Sequence, residues 1–244
     1  MIDRDNDRKQ ISWDLETTGF AWNAKITVSG FWFPSENGTV ELVLNTSDTE
    51  IDVDQYETHL ENISGATVTV TPADGEAALL EVLQRVVFDR FDREYNRLTA
   101  FHGDSWKGGF DLPFLRTRCI DHGIDWVFDN VMYCDVWDPV KKRLNTTAKY
   151  WGTHDDVNSL DAAHDILFGD DVPPVLAEAA PDHQWYANRE YDPFASSRSA
   201  SYCYERGELL PVAQHNLADL HRTWELAELV RAYIPNTDIT EKKL

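Results

Sequence analysis

The sequence predicts an α/β fold, a central mixed sheet of five strands flanked by helices, in a single domain covering all 244 residues. Three observations lead there. Three β-prone runs come first, separated by turn residues, as in an antiparallel meander. Segments with helical spacing then alternate with short apolar runs, giving the order β-β-β-α-β-α-β-α. Finally, hydrophobic residues make up 42%, with nine Trp, nine Tyr and eleven Phe, a composition that can bury a core and excludes a disordered chain.

The first strand is expected to run through Ile11-Ser12-Trp13-Asp14-Leu15-Glu16, stopped by the turn signal Thr17-Thr18-Gly19. Strand-like runs follow at Lys25 to Phe33 and Thr39 to Leu44, joined by Pro34-Ser35-Glu36-Asn37-Gly38 as a hairpin. Thr71-Pro72-Ala73-Asp74 reads as a helix start, with Leu79, Leu80, Leu83, Val86 and Val87 at helical spacing behind it. Arg97 to His102 is a short buried strand closed by Gly103. The next helix opens at Phe110-Asp111-Leu112-Pro113, with Leu112, Leu115 and Cys119 on one side. Val131 to Cys134 makes the fifth strand, ending at Asp135. Asn158 to Phe168 and Ser196 to Glu205 are helical in pattern, and the Pro- and Asp-rich stretch from Asp170 to Pro193 reads as a surface loop. Pro211 precedes a long helix from Val212 to about Ala232, whose Leu217, Leu220, Trp224 and Ala227 form the core stripe.

Charge bounds the function. Asp and Glu number 43 against 22 Lys and Arg, a net charge of −21, and the pI is near 4.6. The acids are spread along the chain, a pattern that resembles proteins of salt-loving organisms. A nucleic-acid partner ordinarily calls for a basic surface. At molar salt, however, the Debye length falls to about 3 Å, so an acidic surface repels a polyanion only at short range. Cys119, Cys134 and Cys203 are an odd number without Cys-x-x-Cys spacing, which argues against a disulfide framework and a cysteine zinc site. The charged start and the lack of any long apolar run give the expectation of a soluble, cytoplasmic protein without a membrane partner.

Asp14 and Glu16 sit two apart on the first strand, so their carboxylates project from the same face. Like charges that close need a cation, and hard oxygen ligands suit Mg²⁺ or Mn²⁺. The turn behind them puts the pair at a strand end, where sites are commonly built. Asp111 opens a helix, where a cap is the plain role and a site residue the alternative. His215 and Asp219, four apart on the last helix, share a face pointing away from the core stripe. Asp135 reads as a turn former. Tyr150-Trp151 and Trp185-Tyr186 read as packing, although such pairs can stack on bases.

Asp14-Leu15-Glu16-Thr17-Thr18-Gly19 resembles the first motif of the DnaQ-like (DEDD) 3′–5′ exonucleases, whose fold is RNase H-like. Phe110-Asp111-Leu112-Pro113-Phe114-Leu115 resembles the second motif, and His215-Asn216-Leu217-Ala218-Asp219 the third. The three occur in the family's order across nearly the whole chain. Two departures stand out. Trp106-Lys107-Gly108-Gly109 occupies the interval where the family usually has an Asn, and His215 combines the residue type of one branch with the spacing of the Tyr branch. Asn158-Ser159-Leu160-Asp161 also resembles a family helix start, with an N-cap as the plain reading. The resemblance implies two divalent cations, Mg²⁺ or Mn²⁺, and phosphodiester hydrolysis at the 3′ end of single-stranded DNA or RNA. Asp14, Glu16 and Asp219 would hold one cation; Asp14 would bridge to the second, with Asp111 supporting it through water. His215 would orient or deprotonate the attacking water, with a pH–rate rise near the ordinary His value of about 6.5. Thr17, Thr18 and Phe20 would pack against the terminal nucleotide, and a polymerase or other replication or repair protein could be a partner. A catalytically weak binding module and an RNase H-type endonuclease remain as alternatives.

Overall fold

Along β1 (Lys9–Thr17), Ile11, Trp13 and Leu15 point to one face and Ser12, Asp14 and Glu16 to the other. The first set joins a core with Phe31, Leu79, Leu83, Leu112 and Phe128. The second faces a long helix, onto which Ser12 Oγ donates a 2.7 Å hydrogen bond at the Leu220 carbonyl. The computed structural model describes residues 8–34, 38–47, 49–104, 110–150, 153–156, 159–169, 171–195 and 197–244. The turn residues Ser35, Glu36 and Asn37, the Trp106–Gly109 interval, Trp151 and Asn158 lie outside these described residues.

β2 (Ile26–Phe33) pairs antiparallel with β1 and with β3 (Thr39–Asn45), the expected meander. After it the chain departs from the five-strand reading. Helix α1 (Val53–Ser64) follows, then β4 (Thr67–Ala73), parallel to β3. Thr71-Pro72 thus ends a strand and starts no helix. Val68 and Val70 alternate inward, and on an edge strand Pro72 leaves no central ladder donor missing. Helix α2 (Glu76–Arg90) begins after Gly75, whose φ of 88° suits a glycine. Helix α1 escaped pattern reading because it buries little beyond Leu60 and Ser64; its signals are the caps, Asp52 accepting from Gln55 N and Gly65 in the left-handed conformation.

β5 (Asn96–Ala100), α3 (Asp111–His122), β6 (Met132–Asp135) and α4 (Trp137–Arg143) come next. β7 (Thr147–Tyr150) and β8 (Thr153–Asp156) make a separate two-stranded ribbon. Helix α5 (Leu160–Phe168), with Ser159 at its N-cap position, leads to α6 (Pro174–Ala179) and a short 3-10 helix (Tyr186–Asn188), then α7 (Ser197–Glu205) and α8 (Leu209–Tyr233). A last strand, β9 (Glu241–Lys243), adds to the edge beyond β6. The sheet therefore has seven strands in the order β4-β3-β2-β1-β5-β6-β9, mixed in direction, with eight α-helices among the described residues. No helix among them is long and apolar enough to cross a membrane.

Two further expectations are corrected. Of the stretch 170–193, read as a surface loop, the described residues 171–193 pack on the core: Leu176, Trp185, Tyr186 and Tyr191 are buried against α8, which also makes Trp185-Tyr186 packing residues. Helix α8 has no solvated face opposite its core stripe. β1 and β2 cover one side and α5, α6 and α7 others, so His215, Asn216, His221 and Glu225 are buried with Leu217 and Leu220. It starts at Leu209, with Pro211 in the first turn, where the missing N–H is one the helix would leave unpaired anyway.

The close approach of α8 to β2 depends on Gly30. A Cβ there would run into Asn216 Oδ1 and lie 2.6 Å from Leu220 Cδ1 and 2.7 Å from Leu42 Cδ2. Gly30→Ala is expected to lower the unfolding free energy by about 1–3 kcal/mol through overpacking. A denaturant midpoint equal to the parent's would refute this tight spacing.

Candidate metal centre and cleft

The end of β1 carries the first two acids into a cleft of about 580 Å³, also lined by Asp111 and Asp219. A register shift between Glu16 and Thr17 releases the strand into the turn, where the Thr17 hydroxyl donates to the Gly19 carbonyl at 2.9 Å. Phe20 beyond the turn is 75% exposed and meets Phe110 edge-to-face with centroids 5.1 Å apart. Asp111 is the first residue of α3, with Phe110 in the cap position, so its carboxylate is not the helix cap. Asp135 accepts from the N–H groups of His102 (2.9 Å), Asp104 (3.1 Å) and Trp137 (3.0 Å), tying the end of β5 to the start of α4. Asp135 is thus the turn former expected from its position.

Helix α8 supplies the rest. Asn216 Nδ2 donates to Asp14 Oδ2 at 2.7 Å, tying the helix to β1. His215 Nδ1 lies 2.8 Å from Asp192 Oδ1. A carboxylate there makes Nδ1 the donor and turns Nε2 inward, 3.5 Å from Glu16 Oε1 and 3.8 Å from Asp219 Oδ2. Nε2 is buried and has no hydrogen-bond partner. Arg222 Nη1 holds Asp192 Oδ2 at 2.6 Å and Asp219 Oδ1 at 3.0 Å, so one guanidinium braces both.

The carboxylates are strained by one another. Burial, then the Asp219 charge, raise the Asp14 pKa to about 7, opposed by His215 and the Asn216 hydrogen bond. Glu16 and Asp111 are raised well above the ordinary range, again chiefly by burial and then by charged neighbours. Asp219 is raised by burial, with His215 and Arg222 pulling the other way. Burial would lower His215, but Asp219, the Asp192 hydrogen bond and Glu16 outweigh it and lift its pKa to about 10. A cluster of oxygen donors short of positive charge, with an unpartnered imidazole nitrogen among them, suits a divalent cation.

Of the residues expected at the site, Glu16, His215 and Asp219 form the tightest group, their ligand atoms all within 4.8 Å of one another. Asp14 adjoins them through Asn216, and Asp111 lines the same cleft outside that group. Thr17, Thr18 and Phe20 line it too.

Sequence reasoning missed Asp192, Asn216, Arg222 and, on α7, Arg198 and Tyr202, which face the cleft. The i, i+3 spacing of Asp219 and Arg222 was a usable signal. Asp192 had none, since it lies in an irregular segment and meets His215 only through the tertiary fold. No protein-family model matches the chain, and no curated protein matches it.

Proposed function

We propose that this chain is a metal-dependent 3′–5′ exonuclease of the DnaQ-like kind, built on an RNase H-like fold and acting on single-stranded DNA or RNA. The observation that supports it most is the convergence of Asp14, Glu16, Asp111 and Asp219 from three separate elements on one cleft, with His215 aimed among them. Two Mg²⁺ or Mn²⁺ ions, when bound there, would supply Lewis-acid stabilisation of the phosphate and of the departing oxygen. The four carboxylates are the residues that would hold them.

With cations neutralising the acids that raise its pKa, His215 Nε2 would be free to take a proton from the attacking water, while Asp192 holds Nδ1–H and fixes the ring's orientation. Water oxygen bonds to phosphorus as the P–O3′ bond breaks and the departing O3′ takes a proton from solvent, leaving a 5′-mononucleotide and a strand one residue shorter with a free 3′-hydroxyl. Phe20 and Phe110 offer an aromatic surface to the terminal base, and Thr17 and Thr18 flank it. Arg198 brings a guanidinium to the acidic cleft for the phosphate backbone.

The test uses 5′- and 3′-end-labelled single strands of DNA and RNA, and a circular single strand, with Mn²⁺ at high KCl. The 3′ label should leave first as mononucleotide, the 5′-labelled strand should shorten stepwise, and the circle should survive. Cutting of the circle would instead make the chain an endonuclease, and binding without cutting a non-catalytic module.

A further inference from the structure

We propose that His183, His221 and Glu225 form a separate structural site for a transition metal, Zn²⁺ fitting best, that fastens the segment between α6 and the 3-10 helix to α8. His221 and Glu225 are one helical turn apart, which puts both side chains on one face of α8. His183 reaches them from the chain ahead of the 3-10 helix, and the three ligand atoms lie within 4.8 Å of one another.

Two of the three ligand-atom spacings match a tetrahedral metal. His221 Nε2 is 3.3 Å from His183 Nε2 and 3.3 Å from Glu225 Oε1. Zinc–ligand bonds of about 2.0–2.1 Å in a tetrahedron set neighbouring ligand atoms about 3.3 Å apart. Hydrogen bonds of the N–H···O kind run to about 3.2 Å, and a single His221 Nε2 proton could serve only one of the two contacts well. Two imidazoles and one carboxylate favour zinc over magnesium. No cysteine is involved, so the Cys spacing bears nothing on this site.

Partners behind the ligands are in place. Tyr191 Oη lies 2.9 Å from His221 Nδ1, and His164 Nε2 lies 2.5 Å from Glu225 Oε2. Trp32 stacks on the His221 ring at 4.3 Å and 15°. His183 is half-buried, whereas His221 and Glu225 are fully buried. The fastened segment continues through Tyr186, whose hydroxyl accepts from Arg222, to Asp192 beside His215. The metal is therefore a positioning device for the cleft and not part of it.

The site is tested on the full-length chain, stripped with chelator and titrated with Zn²⁺ in excess Mg²⁺ by calorimetry. The background is Asp14→Asn with Glu16→Gln, so that the acidic cleft contributes no tight site. One equivalent should bind and raise Tm, and Co²⁺ in its place should show the visible absorption of a tetrahedral centre. His183→Ala, at a half-exposed position that should tolerate it, should weaken binding on the order of 100-fold or more, beyond the loss from an outer partner alone, and abolish the zinc-dependent rise in Tm. Absence of stoichiometric binding in the background chain, or equal affinity in His183→Ala, would overturn the site. Neither result depends on nuclease activity, so this site and the proposed function can fail separately.

Discussion

Asp14→Asn is expected to cost on the order of 10³-fold in strand hydrolysis, the upper end of the scale for losing an electrostatic contact made in the transition state, while making the metal-free protein more stable. The two effects share one cause. Asp14 ionises at about 7 in the folded chain against 3.8 for an ordinary Asp, because burial and Asp219 disfavour its charge. A carboxyl group with a raised folded pKa binds its proton more tightly when folded, so its ionisation works against folding. That penalty is absent below pH 4, grows as pH rises towards 7, and stays constant above. Asparagine keeps an oxygen to accept from Asn216 and carries no charge. Unfolding in chelator at pH 8 should therefore show a gain of about 2 kcal/mol, discounted from about 1.36 kcal/mol per pKa unit because Asp14 is half-buried and shares its repulsion with Asp219. At pH 4 the gain should vanish. A variant that retains full activity, or that is less stable at pH 8 without metal, would contradict the reading of β1 as a cation-binding strand.

The next largest effect is expected at His215. His215→Ala should lose on the order of 10²- to 10⁴-fold in turnover, the usual range for a positioned general base. Asp192→Asn, which can no longer accept the Nδ1 proton in the same way, should lose roughly 10- to 100-fold. The pH–rate rise near 6.5 is an expectation for the metal-loaded protein; in the metal-free protein Asp219, Asp192 and Glu16 outweigh burial and lift His215 to about 10. The stability this group contributes is then fully present below about pH 6.5 and is lost as pH rises through about 10. NMR titration of the imidazole in chelator should place its pKa far above 6.5, and Mg²⁺ should lower it by neutralising the acids that raise it. An imidazole titrating near 6.5 with and without Mg²⁺ would make His215 a bystander. His215→Tyr should restore part of the rate, since a phenol at this spacing can orient water.

How far the sequence revealed this arrangement depended on the range of the interaction involved. The meander, the α2 and α3 stripes and the buried strand Asn96–Ala100 were legible because alternation and helical spacing act over a few residues. So were Asp14, Glu16, Asp111, His215 and Asp219, each at the start or end of an element or one turn from a neighbour. Helix α1 and strand β4 were not: α1 buries too little to show a stripe, and Thr71-Pro72 carries a helix-start signal that pairing with β3 overrides. The burial of α8 on all sides was equally hidden, because polar residues such as His221 and Glu225 are inside only by virtue of partners brought from the chain between residues 164 and 191.

The hydrogen bond between Asn216 and Asp14 joins residues 202 positions apart. During synthesis the acids of β1 leave the ribosome long before α8 exists, so a nascent chain displays Asp14 and Glu16 with neither His215 nor Asp219 beside them. Closing the cleft is a non-local event, of the kind that slows folding. A shortened product ending ahead of α8 would lack the imidazole, one carboxylate and the central packing element together. On the proposed nuclease reading, activity would appear only once residue 219 has emerged, and fragments broken off before that point would not cut nucleic acid.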